Sequence, residues 1–126
     1  MILADTHLLL WAASNSPRLP AKARTLILEA GEQRWFSAAS IWEAAIKRTR
    51  HKQFEVNVQA LRSGLLDNGW RELVVNSEHG VAVLDLPPIH NDPFDRMLLA
   101  QAKVEGLTLL TSDKIVASYP GNVLRV

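Results

Sequence analysis

The stretch Gly106-Leu107-Thr108-Leu109-Leu110-Thr111 restricts the fold more than any other part of the chain. Its apolar run is too short for a buried helix, and Gly106 and Ser112-Asp113 bound it with residues that end or cap regular structure. Together these features predict a buried strand over Leu107 to Thr111. An apolar helix from Arg96 to Glu105 runs directly into it, with Gly106 placed as its cap. The same motif recurs along the chain. Ile2-Leu3-Ala4 predicts a strand ending at Asp5, followed by a helix from Thr6 to Ala13. Pro20 opens a second helix that Gly31 closes, since proline lacks an N–H that a first helical turn does not need. Arg34 to Ser37 predicts a strand, with a helix after it that carries Ile41, Trp42, Ala45 and Ile46 on one face. Leu61, Leu65 and Leu66 mark a further helix, closed by Gly69. Leu73-Val74-Val75 predicts a strand and Ser77 to Leu84 a short helix ending before Pro87-Pro88. Asp113 starts a last short helix and Val123 to Val126 a last strand. Alternation of this kind predicts an α/β fold: a three-layer α/β/α sandwich around a mostly parallel sheet, doubly wound by right-handed crossovers.

The 126 residues suit one domain, 1–126, large enough to bury a core without staples. The formal net charge is only +1, so any nucleic-acid contact needs a local basic patch. The absence of cysteine excludes thiol nucleophiles, disulfides and cysteine-ligated zinc. The amino-terminal residues Met1 to Asp5 show no basic leader, and the longest apolar stretch, Leu8 to Ala13, is too short for a membrane span. The expectation is a cytoplasmic protein with no membrane partner.

Ligands in doubly wound folds sit at the carboxyl ends of the strands. Asp5 directly follows the first strand and Asp113 lies two residues past the strand that ends at Thr111. Glu43 lies about two turns into the helix after the Trp35 strand, and Asp95 sits in the first turn of its own helix. All four can meet on one rim. Unpaired carboxylates in apolar surroundings repel, and a hard divalent cation relieves that repulsion. Such an ion can activate water and hold a phosphodiester for in-line attack. Each acid also has a structural reading. Asp5 and Asp113 can cap the helices that follow them. Glu43 can complete a capping box with Ser40 or pair with Lys47. Asp92-Pro93-Phe94-Asp95 has the form of a helix start, with Asp92 as N-cap, Pro93 first and Asp95 third.

Read together, the motifs resemble the PIN-domain family, and within it the VapC-type toxins of bacterial toxin–antitoxin pairs. The residues that carry the resemblance are Leu3-Ala4-Asp5-Thr6-His7, then Ser37-Ala38-Ala39-Ser40-Ile41-Trp42-Glu43 with Ile46-Lys47. They continue with His90-Asn91-Asp92-Pro93-Phe94-Asp95-Arg96-Met97-Leu98-Leu99-Ala100-Gln101-Ala102 and end with Leu110-Thr111-Ser112-Asp113. The resemblance implies magnesium- or manganese-dependent RNA cleavage by the quartet Asp5, Glu43, Asp95 and Asp113. In it Asp5 and Asp95 are the direct metal ligands, while Glu43 and Asp113 complete the shell, orient water or hold a second ion. It also implies a small cognate antitoxin and a homodimer. Many relatives place a glycine after the Lys47-Arg48 pair, where this chain has Thr49-Arg50-His51-Lys52.

Other residues frame the site. Lys47, Arg48, Arg50, His51 and Lys52 form the densest basic run, suited to RNA phosphates or to the helix dipole. His7 and His90 lie near site residues, but the four histidines show no metal-ligand spacing. Thr6 and Ser112 flank aspartates and can hydrogen-bond a ligand or cap a helix. Trp11, Trp35, Trp42 and Trp70 are expected as core or interface anchors. Leu8-Leu9-Leu10-Trp11 is apolar all round its helix, which predicts partial cover by a partner. Two other functions compete. In an aspartate-based phosphoryl-transfer enzyme Asp5 would be the nucleophile, but His7 stands where that chemistry usually brings a second aspartate. The other is a binding module that kept the fold without catalysis. A housekeeping nuclease of the same family is the nearest alternative to a toxin.

Overall fold

The computed structural model describes all 126 residues. Five short strands form one sheet: β1 (Ile2–Ala4), β2 (Arg34–Ser37), β3 (Arg71–Leu73), β4 (Thr108–Thr111) and β5 (Val123–Arg125). Their order is β3-β2-β1-β4-β5, and every pairing is parallel. The helices are α1 (Thr6–Ala13), α2 (Ala21–Ala30), α3 (Ala38–Arg50), α4 (Val58–Asp67), α5 (Ser77–Ala82), α6 (Pro93–Glu105) and α7 (Lys114–Ala117). No helix is long and apolar enough to cross a membrane.

Side chains alternate across the sheet with a period of two and so divide the core in two. Ile2, Ala4, Phe36 and Leu110 face one side, where they pack with Leu8 and Leu9 of α1, Ala23 and Ile27 of α2, Ala44 of α3, and Leu61 and Leu65 of α4. Leu3, Leu73 and Leu109 face the other side, against Leu98, Leu99 and Ala102 of α6 and Val116 of α7. Each face is covered by helices, which gives the three-layer sandwich.

Local chemistry sets most element ends. Asp92 caps α6 by accepting the N–H groups of Phe94 (2.9 Å) and Asp95 (3.1 Å), and Pro93 occupies the first turn. The helix therefore starts at Pro93, three residues before the apolar run beginning at Arg96. Gly106 ends it in the left-handed region (φ 68°), where a side chain would be strained. Without a glycine after Lys47-Arg48, α3 continues to Arg50.

Two boundaries differ from the sequence reading. The third strand is Arg71–Leu73 rather than Leu73 to Val75, because its ladder pairs Trp35 with Arg71, Phe36 with Glu72 and Ser37 with Leu73. β2 ends at Ser37, so Val74 and Val75 have no strand to pair with and are exposed. The helix starting at Ser77 ends at Ala82, and a 3-10 turn takes up Val83–Asp85.

Candidate active site

The chain runs outward from β1 to β2 and β3, then returns to place β4 on the other side of β1. This reversal opens a crevice at the carboxyl ends of β1 and β4. Asp5 stands at its base. Its N–H donates to the Leu110 carbonyl (3.0 Å), which extends the β1–β4 ladder by one residue and fixes where the side chain leaves the sheet. The residue is 4% exposed. Oδ1 accepts the Leu8 N–H (2.9 Å), making Asp5 the N-cap of α1, and Oδ2 accepts the Thr111 hydroxyl. Burial pushes the Asp5 carboxyl above the usual range, opposed by the Thr111 and Leu8 hydrogen bonds and by His7, while Asp113 pushes it further up.

Asp113 approaches from β4. It caps α7, with Oδ1 accepting from Ile115 (2.7 Å) and Val116 (3.1 Å), and its own N–H donates to Thr111 Oγ1 (3.0 Å). One hydroxyl thus ties Asp5 to Asp113. Asp95 comes from the first turn of α6, with Oδ2 2.8 Å from His90 Nε2. Burial, then Asp92 and Glu43, raise its carboxyl to about 6, and the His90 contact holds the rise back. Glu43 comes from the middle of α3. Its Oε2 meets Lys47 Nζ at 3.2 Å, while its Oε1 is buried with no hydrogen-bond partner.

The four acids therefore lie on one rim. Asp113 acts on Asp5 and Glu43 on Asp95, and carboxylate oxygens of Asp95 and Asp113 lie with a ring nitrogen of His90 inside a mutual 4.8 Å. Asp5 lies outside that group of three, and its two oxygens accept from Leu8 and Thr111. The cap roles of Asp5, Asp92 and Asp113 and the Glu43–Lys47 pair are real contacts, so the structural roles and the clustering coexist. The Ser40 capping box is absent, because Ser37 caps α3 through the Ala39 N–H (3.0 Å). A rim with this much carboxylate and one bare buried oxygen is short of positive charge, and a hard divalent cation fits that donor set.

A family model for the PIN domain matches residues 2–122. The chain belongs to the PIN domain family. Two solved structures share the PIN fold seen here. One is a toxin–antitoxin complex from Klebsiella pneumoniae, with 19% identity over 98% of this chain and 96% of that one and a TM-score of 0.68. The other is VapBC2 from Rickettsia felis bound to a DNA fragment from their promoter, with 15% identity over 100% of this chain and 98% of that one and a TM-score of 0.72. At these identities the likeness is one of fold. No curated protein matches the sequence.

Around the acidic rim of this PIN domain the remaining residues divide. The hydroxyl on Asp5 is that of Thr111, not of Thr6 or Ser112, and Thr6 Oγ1 donates instead to Ser40 Oγ (2.9 Å), joining α1 to α3. Of the basic run, only Lys47 reaches an acid of the site; Arg48, Arg50, His51 and Lys52 are exposed. Trp70 is in the core and Trp11 and Trp35 pack at its edges, but Trp42 is 63% exposed and meets Phe94 edge-on at 5.2 Å. Leu8 and Leu9 are buried within the chain rather than left for a partner, because α1 is wrapped by α2, α3 and α4.

Sequence reasoning placed little weight on His90 and none on Thr111. The Thr111 signal was present in the sequence: a buried strand ending in a hydroxyl, next to the strand that delivers Asp5. His90 sits five residues before Asp95 across an irregular segment, a spacing that no helix or strand period marks.

Proposed function

We propose that this chain is the toxin of a toxin–antitoxin pair: a magnesium- or manganese-dependent ribonuclease that hydrolyses RNA phosphodiester bonds. The observation that carries the reading is the meeting of Asp5, Glu43, Asp95 and Asp113 at the switch point of a PIN domain, with Glu43 Oε1 buried and unpartnered. The toxin assignment draws further support from the fold shared with toxin–antitoxin complexes.

Asp5 and Asp95 would hold the ion, each with lone pairs left after its present hydrogen bonds. The ion, when bound, supplies a Lewis acid for the scissile phosphate and lowers the pKa of water. The chain's own groups do the positioning. Glu43 Oε1 is the free acceptor on the rim and would take a hydrogen bond from the attacking water. Lys47 holds the other oxygen of Glu43 and so sets its direction. Asp113, stiffened by three backbone contacts around the start of α7, would complete the shell. The exposed Arg48 and Arg50 at the end of the same helix, and Lys52 in the turn after it, would meet RNA phosphates.

An antitoxin would have a largely apolar seat beside the acids, reaching them at His7 and Lys47. A groove of about 840 Å³ runs between α1 and α4, lined by Leu10, Trp11, Phe54, Leu61, Leu65 and Trp70. A partner arginine or lysine reaching the rim would pair with Asp5 or Asp95 and displace the metal. The free protein is proposed to be a cytoplasmic homodimer.

The test is expression of the chain alone and with its genomic neighbour, with cleavage sites mapped on total cellular RNA. Growth arrest with discrete RNA cuts, both lost in Asp95→Asn and on coexpression, is the expected result. Cleavage without effect on growth and without a copurifying partner would leave a housekeeping PIN nuclease as the better reading.

A further inference from the structure

One rim residue whose backbone is held on an irregular segment is the one that an all-carboxylate site leaves out. His90 follows the Pro87-Pro88 segment, which belongs to no helix or strand, and yet it is fixed from two directions. Its N–H donates to the hydroxyl of the buried Tyr119 (2.7 Å). The Arg96 guanidinium gathers the same segment, donating to the carbonyls of Val83 (3.2 Å) and Pro87 (3.0 Å) and to Tyr119 Oη (3.2 Å). Arg96 is the neighbour of Asp95, so one turn of α6 both supplies an acid to the site and clamps the loop that brings the imidazole to it.

We propose that His90 is a direct ligand of the divalent ion, sharing it with Asp95 and Asp113, and that this nitrogen gives the site a preference for manganese over magnesium. The proposal rests on the metal-dependent reading above. Its geometric basis is the mutual 4.8 Å enclosure of one donor atom from each of the three residues, with His90 Nε2 and Asp95 Oδ2 2.8 Å apart. Ligands at about 2.1 Å from an octahedral ion are about 3 Å apart when adjacent and about 4.2 Å when opposite, so a set within 4.8 Å can close on one ion with at most a small shift of side chains. Glu43 Oε1, buried without a partner, is an independent sign that the rim lacks a cation. The held backbone and the Nε2–Asp95 contact place the imidazole beside the carboxylates before any ion binds. Magnesium is served best by oxygen alone, whereas the softer manganese accepts an imidazole nitrogen more readily, so this ligand separates two ions that a carboxylate quartet would treat more alike.

The experiment is manganese titration of the metal-free full chain, followed by electron spin echo envelope modulation of the bound ion and by magnesium competition. The expected spectrum shows nitrogen coupling from one imidazole, shifted by ¹⁵N-histidine labelling and retained in His51→Ala. His90→Ala should lose the coupling and weaken manganese binding at least about tenfold, with a smaller change for magnesium. Bound manganese without nitrogen coupling would overturn the proposal while leaving metal-dependent cleavage intact. Failure of the intact chain to bind either ion would overturn both. If His90→Ala does not fold, the coupling in His7→Ala, which lacks the other histidine beside the rim, decides the question: its retention supports His90 and its loss overturns the proposal.

Discussion

Helix α6 carries a histidine–carboxylate pair at each end, and the two differ in everything except their distance. At the amino end His90 Nε2 lies 2.8 Å from Asp95, and at the carboxyl end His79 Nε2 lies 2.8 Å from Glu105. His79 is fully buried and both its ring nitrogens are committed. Nδ1 accepts the Asn76 N–H (3.1 Å) while the Asn76 side chain accepts the His79 N–H (3.0 Å), which closes a capping box at the start of α5. That backbone donor requires a bare Nδ1 and so directs an Nε2 proton at Glu105. Glu105 opens to water. His90 and Asp95, by contrast, are partly exposed to a crevice and sit among Asp92, Glu43 and Asp113. The first pair is complete in itself and fastens α5 to α6. The second leaves its carboxyl raised to about 6 even with a histidine beside it. Uncompensated charge around a pair, rather than the pair itself, separates a site from a brace.

The largest expected effect breaks the comparison at its carboxylates. Asp95→Asn should lower kcat/KM for RNA cleavage at least about a hundredfold, the scale of losing support at a metal centre. Glu105→Gln, one helix length away, should leave it within about twofold, since no substrate or site group is near. Steady-state cleavage of a single oligonucleotide by both variants is the measurement. Equal losses would erase the distinction.

The next effect runs the other way, in stability. His79→Ala removes a fully buried ring and strands the Asn76 N–H, which should cost about 2–4 kcal/mol. His90→Ala, partly exposed, should cost under about 1 kcal/mol in metal-free buffer. Urea unfolding of the two variants gives the ranking directly, and a reversed order would refute the assignment of brace and site.

A smaller effect is the pH dependence that Asp95 imposes. Its carboxyl is raised in the folded protein from 3.8 to about 6, so the native state holds this proton more tightly than the unfolded chain. The contribution of this group to metal-free stability should therefore be fully present below pH 4, fall by about 1–3 kcal/mol as pH rises from about 4 to about 6, and level off above. Asp95→Asn should flatten that stretch of the curve. The smallest effect is that of Glu105→Gln on stability, under about 1 kcal/mol, because the amide oxygen still accepts from His79.

What the sequence disclosed follows the same line. Elements closed by local chemistry were legible: Asp92-Pro93 and Gly106 mark α6, and Gly106 and Ser112 bracket β4. The strand at Arg71–Leu73 was misplaced because the apolar Val74 and Val75 suggested a register that only its partner β2 could decide. Three of the four acids were visible as residues just past a strand or just inside a helix, positions that topology brings to one rim. His90 and Thr111 were not given their place because their contacts, to Asp95 across an irregular segment and to Asp5 across 106 residues, belong to tertiary structure alone. Leu8 and Leu9 suggested an interface because a helix apolar on all sides looks the same whether its own chain or a partner covers it.

The most direct test of the acidic rim as a metal-dependent nuclease site is cleavage of one defined RNA by purified protein stripped of metal. No cut should appear until magnesium or manganese is added, and none with Asp95→Asn at any concentration of either ion. Undiminished cleavage by the stripped protein, or full activity of Asp95→Asn, would contradict the account.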